Sequence, residues 1–193
     1  MRALFPRWAN SLAAGLVTTT VLVAGVSLAG AWTYVRTPFN TGVREPREQP
    51  IAFDHRHHVL DTGIDCRYCH FTVETTPYAG IPPTELCMNC HAQIWTAAPQ
   101  TDPIRTSYFE NRPIVWNRVH ALPDHVHFNH AIHVSQGVEC QRCHGDVASM
   151  TRVSKAETLT MEFCIDCHRD PGPQLQTHLQ TLQPPTTCSA CHR

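Results

Sequence analysis

The stretch Gly-Ile-Asp-Cys-Arg-Tyr-Cys-His, residues 63–70, contains the five-residue motif Cys-x-x-Cys-His around which this chain is organised. The motif occurs five times and uses all ten cysteines. Its copies occupy residues 66–70, 87–91, 140–144, 164–168 and 188–192. Cys-x-x-Cys-His is the attachment motif of c-type haem, in which both thiols add to the haem vinyl groups and the histidine binds the iron. The sequence therefore predicts a cytochrome c with five covalently bound haems.

The motifs assign two sets of haem-binding residues. The predicted thioether residues are Cys66, Cys69, Cys87, Cys90, Cys140, Cys143, Cys164, Cys167, Cys188 and Cys191. The predicted proximal iron ligands are His70, His91, His144, His168 and His192. Structural zinc and disulfides are the alternative uses of paired cysteines. Five pairs cannot be grouped into whole Cys₄ zinc sites, and disulfides do not require a histidine after every second cysteine.

The composition limits the fold. The chain has 193 residues, 14 histidines, 15 prolines and a net charge of −1, so it lacks the basic excess of a nucleic-acid-binding protein. After the N-terminal segment, roughly 32 residues are available for each haem, too few for an ordinary side-chain core around every site. We expect a mostly α-helical or irregular multihaem cytochrome c domain, with little regular secondary structure and a core packed around the haems.

The N-terminal segment predicts a single transmembrane α-helix. No charged residue occurs between Arg7 and Arg36, and residues 12–35 are mostly apolar. As a helix this stretch spans about 36 Å, enough for the hydrocarbon layer of a membrane. A cleaved signal peptide is the alternative, because small residues follow the apolar run at 29–31. We expect an uncleaved anchor in the bacterial inner membrane, with the haem domain on the periplasmic side where haem is attached.

The chain divides into six parts in this interpretation. They are a cytoplasmic N-terminus at 1–11, the anchor at 12–35, a linker at 36–50, a two-haem unit at 51–98, a connecting segment at 99–127 and a three-haem unit at 128–193. The two haem units begin with the same pattern, Phe-x-His-x-x-His-Val, followed by Gly-Ile-Asp-Cys or Gly-Val-Glu-Cys. This internal repeat indicates two related units, with the fifth motif added at the C-terminus.

The Phe-x-His-x-x-His pattern predicts distal iron ligands. Histidines three residues apart lie on one face of a helical turn and can cap two different haems. We assign His55 and His58 to this role in the first unit, and His130 and His133 in the second.

The fifth iron needs one more distal ligand, for which several residues are candidates. They are His57, His120, His125, His127, His178, Met150 and Met161. We favour His120, because Pro123 fixes the chain just after it. Met150 and Met161 compete with it, and a methionine ligand would raise the reduction potential of its haem. Enough ligands exist to close all five irons, which favours electron transfer over catalysis.

One longer phrase resembles a known family. Residues 118–133 read Arg-Val-His-Ala-Leu-Pro-Asp-His-Val-His-Phe-Asn-His-Ala-Ile-His. With the single anchor and five motifs arranged two plus three, this phrase resembles the pentahaem cytochrome c subunit of bacterial alternative complex III, a quinol:acceptor oxidoreductase. The resemblance implies that His120, His130 and His133 correspond to histidines of that family's phrase.

The resemblance also implies partners. Quinol would be oxidised in multi-spanning membrane subunits, and electrons would pass through an iron–sulfur protein, this chain and a monohaem cytochrome. The acceptor would be a soluble periplasmic cytochrome c or a blue-copper protein. The chain itself would be an electron-transfer subunit without a catalytic residue. The alternative function is a free-standing, membrane-anchored multihaem quinol dehydrogenase that supplies a periplasmic reductase. A catalytic multihaem reductase is a further alternative.

Overall fold

The computed structural model describes residues 6–173, 175 and 183–192. Across these residues the secondary structure is helical or irregular, and β pairing is limited to two isolated bridges. The expected fold class, one long apolar helix and a mostly helical, irregular multihaem domain, is confirmed. The chain divides into two compact units, Met1–Gly42 and Val43–Arg193.

The first unit contains the long helix α1, Trp8–Tyr34, followed by the short helix α2, Pro38–Thr41. Helix α1 has a mean hydropathy of 2.0 in its most apolar window and no buried part, so it is a candidate membrane anchor. It begins four residues before the predicted segment. At its far end the Arg36 guanidinium lies 3.4 Å from the centre of the Trp32 ring, an arrangement suited to the edge of a membrane.

The second unit is built from short helices, and each Cys-x-x-Cys-His motif forms or ends one of them. The five motif helices are α3 (Cys66–Cys69), α4 (Thr84–His91), α7 (Gln141–His144), α8 (Met161–Arg169) and α9 (Cys188–Cys191). One helical turn places the first cysteine and the histidine on the same side, as attachment to one haem requires.

Three further helical segments lie outside the motifs. They are a π-helical turn at His57–Asp61, helix α5 at Asp102–Glu110 and helix α6 at His130–Ser135. Two short 3₁₀ turns, Pro99–Thr101 and Val147–Ser149, complete the unit. Helix α5 lies in the segment 99–127, whose sequence shows no clear periodicity. It forms because Pro103 fits the first turn of a helix and Asn111 ends it in the left-handed conformation.

The side-chain core is small for a unit of this length. Helix α4 packs on α5 through a cluster of Ile51, Met88 and Ile104, with Ile114 and Trp116 at its edge. Elsewhere the described part of the unit contains one other buried apolar side chain, Val73. So few buried side chains cannot stabilise a domain of this size by themselves, which fits a core completed by haem.

The predicted linker is part of the second unit from Val43 onward. The amide of Arg44 donates to the carbonyl of Lys155 at 2.8 Å, and Gln49 exchanges two 2.9 Å hydrogen bonds with the backbone of Asn117. Glu48 also forms an ion pair with Arg152. Residues 43–49 therefore lie along the segments that precede the third motif and follow it.

Backbone hydrogen bonds join the predicted two-haem and three-haem units. The amides of His130 and Ala131, at the start of α6, donate to the carbonyls of Pro77 and Thr76. The amide of Arg56 donates to the carbonyl of Met150. In both contacts, the Phe-x-His-x-x-His segment of one unit donates to carbonyls of the other unit. Those carbonyls belong to a segment that follows a haem motif.

We predict that Gly145→Ala destabilises the second unit by about 2 kcal/mol or more, because Gly145 has φ +71° and ψ −167°, a region that is almost restricted to glycine. A Cβ atom there would also lie 2.4 Å from Cβ of Ala156. Urea unfolding of the full-length chain measures the change. Gly42→Ala is the control, because Gly42 is left-handed with open space around it. Equal midpoints for the two variants would contradict the prediction.

Candidate haem sites

The first Phe-x-His-x-x-His copy is organised by Phe53 and Asp54. The Phe53 ring stacks on His58 at 4.3 Å and meets the edge of His55 at 4.8 Å. The carboxylate of Asp54 accepts a hydrogen bond from the His57 amide, and its carbonyl accepts one from Nδ1 of His58 at 2.8 Å. Both candidate distal histidines are thus fixed by the two residues that precede them.

The second copy repeats this arrangement. The Phe128 ring stacks on His133 at 4.4 Å and meets the edge of His130 at 4.8 Å. Asn129 caps α6 by accepting from the Ile132 amide, and its carbonyl accepts from Nδ1 of His133 at 2.8 Å. The internal repeat read from the sequence is therefore also a repeat of side-chain contacts.

Three candidate distal histidines face three different proximal histidines, and the fourth interacts electrostatically with another. An iron held between two imidazoles separates the ring centres by roughly 6.3 Å, because each metal–nitrogen bond is about 2 Å long. The observed separations are 6.2 Å for His58 and His91, 6.3 Å for His130 and His144, and 6.0 Å for His133 and His168. His55 lies close enough to His70 to interact with it electrostatically. Four motifs thus have a histidine at a position suited to cap the iron.

Most of these rings are held through Nδ1, which leaves Nε2 for an iron. A histidine that binds a metal through one nitrogen usually donates a hydrogen bond from the other. The carbonyl acceptors and their distances are Gly80 for His70 at 2.7 Å, Pro77 for His130 at 2.8 Å, Pro185 for His168 at 2.6 Å and His125 for His192 at 3.3 Å. In the described part of the chain, Nδ1 of His55 and of His91 is buried without a partner.

Burial favours the neutral form of several of these rings. Burial lowers the pKa of His55 to about 4, with smaller contributions from nearby His70 and His58. It lowers the pKa of His144 to about 4 as well, helped by His120 and His130. Burial also lowers the pKa of His133. A neutral imidazole has the free lone pair that binds a metal, so these sites are suited to ligation.

The five motifs form one continuous series in space. Burial is the main cause that raises the pKa of four motif thiols, and a thiol of a neighbouring motif contributes in each case. The interacting thiols are Cys87 with Cys69, Cys140 with Cys66, Cys143 with Cys167, and Cys164 with Cys191. These pairs bring the first motif near the second and the third, the third near the fourth, and the fourth near the fifth.

The side chain of His120 and the carbonyl of His125 each lie next to Nδ1 of a proximal histidine. Nε2 of His120 is 3.4 Å from Nδ1 of His144, and the carbonyl of His125 accepts from Nδ1 of His192. An iron bound at Nε2 of His144 would lie on the other side of that ring from His120. The His125 ring is close to the fifth motif, with its centre 5.6 Å from that of His192. That His120 caps the fifth iron stays a prediction.

The other candidates for the fifth iron occupy different surroundings. His57 pairs with Asp61 and stacks on Trp95 at 5.7 Å. The methyl group of Met150 lies near Gly145, beside the third motif. Met161 begins α8 and is 70% exposed, and the His127 amide donates to the carbonyl of Cys191 in the fifth motif. His178 lies outside the described residues.

In the described part of the chain, the cysteines form neither disulfides nor a cluster suited to structural zinc. All ten are free thiols, so none is committed to a disulfide. In the part of the chain that the structure describes, no three His, Cys, Asp or Glu side chains converge as a site for a bare metal ion. The cysteines, proximal histidines and facing histidines do fit c-type haem, which supplies a one-electron iron centre when bound.

Comparison with known proteins gives two matches. Residues 126–193 match the family described as cytochrome c7 and related cytochrome c. The chain is also 30% identical over 169 residues to the menaquinone reductase multihaem cytochrome c subunit of Nitratidesulfovibrio vulgaris, covering 76% of this chain and 78% of that protein. This chain belongs to that family of multihaem cytochrome c subunits. Its general role in electron transport, through c-type haem, follows from that membership.

The cytochrome c7 match covers the three motifs that follow the connecting segment. It begins at Val126, two residues before the Phe128 that opens the second Phe-x-His-x-x-His copy. The longer match to the Nitratidesulfovibrio protein takes in much of the remaining chain. The matched residues 126–193 include the region that the sequence interpretation assigns to the three-haem unit.

Sequence reasoning missed the residues that position the histidines. Phe53 and Phe128 belong to the repeat, and their recurrence is the signal that could have identified them as packing partners of both ligands. Asp54 and Asn129 occupy the variable position of the pattern, where a helix-capping side chain is favoured. The carbonyls of Pro77, Gly80 and Pro185 carry no signal in the sequence, because any residue supplies a carbonyl.

We predict that His58→Leu changes about one fifth of the haem from low-spin to high-spin, because one iron loses its distal ligand. The new signal should respond to added carbon monoxide. Electron paramagnetic resonance and visible spectroscopy of the full-length, haem-loaded chain measure both effects. His57→Leu is the matched control, since His57 is the adjacent histidine and is exposed. A fully low-spin His58→Leu spectrum would exclude His58 as a ligand.

Proposed function

We propose that this chain is a membrane-anchored relay of five c-type haems that carries electrons between a quinone-reactive membrane complex and an acceptor on the periplasmic side. The continuous series of motifs supports this proposal most directly. Each motif in the order second, first, third, fourth, fifth has a neighbour whose thiols it contacts electrostatically. Haems attached at these motifs would be close enough to exchange electrons along the series.

The proposed ligand set closes at least four of the five irons. His55, His58, His130 and His133 each face a proximal histidine of a different motif. An iron with two protein ligands has no open position for a substrate, so these four sites are suited to electron transfer and not to substrate binding. The fifth iron retains His125, His127, Met161 and His178 as candidate caps, and the ring centre of His125 lies 5.6 Å from that of His192. Of these, a methionine would make the fifth haem the one with the highest potential.

The proposed partners follow from the family resemblance and from the related protein. Alternative complex III implies quinol-oxidising membrane subunits, an iron–sulfur protein and a monohaem cytochrome, with a soluble cytochrome c or blue-copper protein as the acceptor. The Nitratidesulfovibrio relative is a subunit of a menaquinone reductase by name. We propose outward flow, from quinol to the periplasmic acceptor, and the relative's name favours the reverse direction as a second candidate.

The anchor supports attachment to a membrane complex. Helix α1 is 27 residues long and has no buried residue, so its entire surface is available to lipid or to neighbouring helices. We propose that α1 spans the bacterial inner membrane with residues 1–11 in the cytoplasm. The haem unit then lies in the periplasm, where haem attachment takes place.

Native separation in mild detergent tests this function. We predict that the haem-staining chain migrates in a large assembly with polytopic membrane subunits and an iron–sulfur protein, identified by mass spectrometry. Adding a menaquinol analogue to the assembly should reduce the haems, seen as growth of the α-band. A chain that migrates alone and is still reduced by the quinol would contradict the subunit proposal and support a free-standing quinol dehydrogenase. Reduction only by a periplasmic donor would support the reverse direction.

A further inference from the structure

The proximal histidines differ in the group that holds Nδ1. His70, His168 and His192 donate to backbone carbonyls, at 2.7, 2.6 and 3.3 Å. His144 instead meets a side chain, Nε2 of His120, at 3.4 Å. The two rings are nearly perpendicular, at 80°, with centres 4.4 Å apart. The third motif therefore has a replaceable side chain where these three motifs have a backbone atom.

We propose that His120 is a positioning residue for the third haem, whose Nε2 accepts a hydrogen bond from Nδ1 of His144 and lowers the reduction potential of the iron that His144 binds. This inference rests on the proposed haem relay and assigns a function to a histidine that the relay leaves without one.

The direction of this hydrogen bond follows from the chemistry of the two rings. When Nε2 of His144 binds iron, its Nδ1 carries the proton and must act as the donor. Nε2 of His120 is then the acceptor, and the proton of the neutral His120 ring lies on Nδ1. An acceptor at Nδ1 raises the basicity of the metal-bound imidazole, which stabilises ferric over ferrous iron and lowers the potential.

The backbone around His120 explains how the ring is held in place. The same segment reaches the fifth motif: the carbonyl of His125 accepts from Nδ1 of His192, and the amide of His127 donates to the carbonyl of Cys191. Val126 also forms a bridge with His192. Residues 120–127 therefore contact Nδ1 of two proximal histidines. The side chain of His120 contacts His144, and the carbonyl of His125 contacts His192.

The position of the third motif explains why the potential of its haem would affect electron transfer. It is the middle member of the spatial series, with the first motif on one side through Cys66 and the fourth on the other through Cys167. A haem at this motif would therefore have neighbours at two other motifs. A side chain that sets its potential therefore influences transfer in both directions.

Redox titration of the full-length, haem-loaded chain tests the inference, with each low-spin haem followed by electron paramagnetic resonance. His120→Leu removes the acceptor and should move one component of the titration to higher potential. His120→Glu supplies a charged acceptor and should move the same component to lower potential. His120→Gln retains a neutral acceptor and should restore a value near that of the unsubstituted chain. His57→Leu is the control and should move none of the components of the third haem.

Three results would overturn the inference. The Leu and Glu titrations could coincide with that of the unsubstituted chain, which would show that His120 does not influence the potential. The two variants could shift it in the same direction, which would indicate a general structural effect. A high-spin iron in His120→Leu would show that His120 is itself an iron ligand. An unsubstituted chain with no haem at the third motif would instead overturn the proposed relay, and haem-peptide mass spectrometry distinguishes that case.

Discussion

The structure depends on one geometric constraint, the pairing of two histidines of one turn with the proximal histidines of two different motifs. In the first copy His55 approaches His70 and His58 faces His91. In the second copy His130 and His133 face two further proximal rings in the same way. In the proposed ligand set, each turn would therefore fix two haem sites relative to each other.

This constraint also explains why the side-chain core can be so small. The main apolar cluster of the second unit joins α4 to α5 through a few side chains such as Met88 and Ile104. It holds the second motif against the connecting segment and does not extend to the other motifs. The remaining motifs are linked by hydrogen bonds across long sequence separations, such as that from His130 to Pro77. A fold of this kind obtains its compactness from covalent haem attachment and iron ligation.

The sequence was sufficient to predict the haem motifs, the fold class and the repeat, because each rests on a local pattern. The dimensions of a haem explain the fixed spacing of cysteine and histidine, and the apolar run of α1 has the length that a membrane span requires. The role that we propose for His120 could not be read in the same way. It depends on a contact with His144, 24 residues away, and a histidine that binds iron looks the same in sequence as one that holds another histidine.

Helix α5 and the order of the motifs were unpredictable for related reasons. Helix α5 contains Pro103 and few apolar residues, so its periodicity is weak, and it is stabilised by packing on α4. The spatial order places the first motif between the second and the third, although the second follows it in sequence. The carbonyls of Thr76 and Pro77, which lie between the first two motifs, accept hydrogen bonds from the amides at the start of α6.

The positions of the irons test this account most directly. Anomalous scattering at the iron absorption edge, from crystals of the haem-loaded chain or its complex, locates each iron independently of any protein model. The account predicts five iron peaks in one continuous series, with the iron of the first motif between those of the second and third. Fewer than five peaks, or an iron of the second motif next to that of the third, would contradict it.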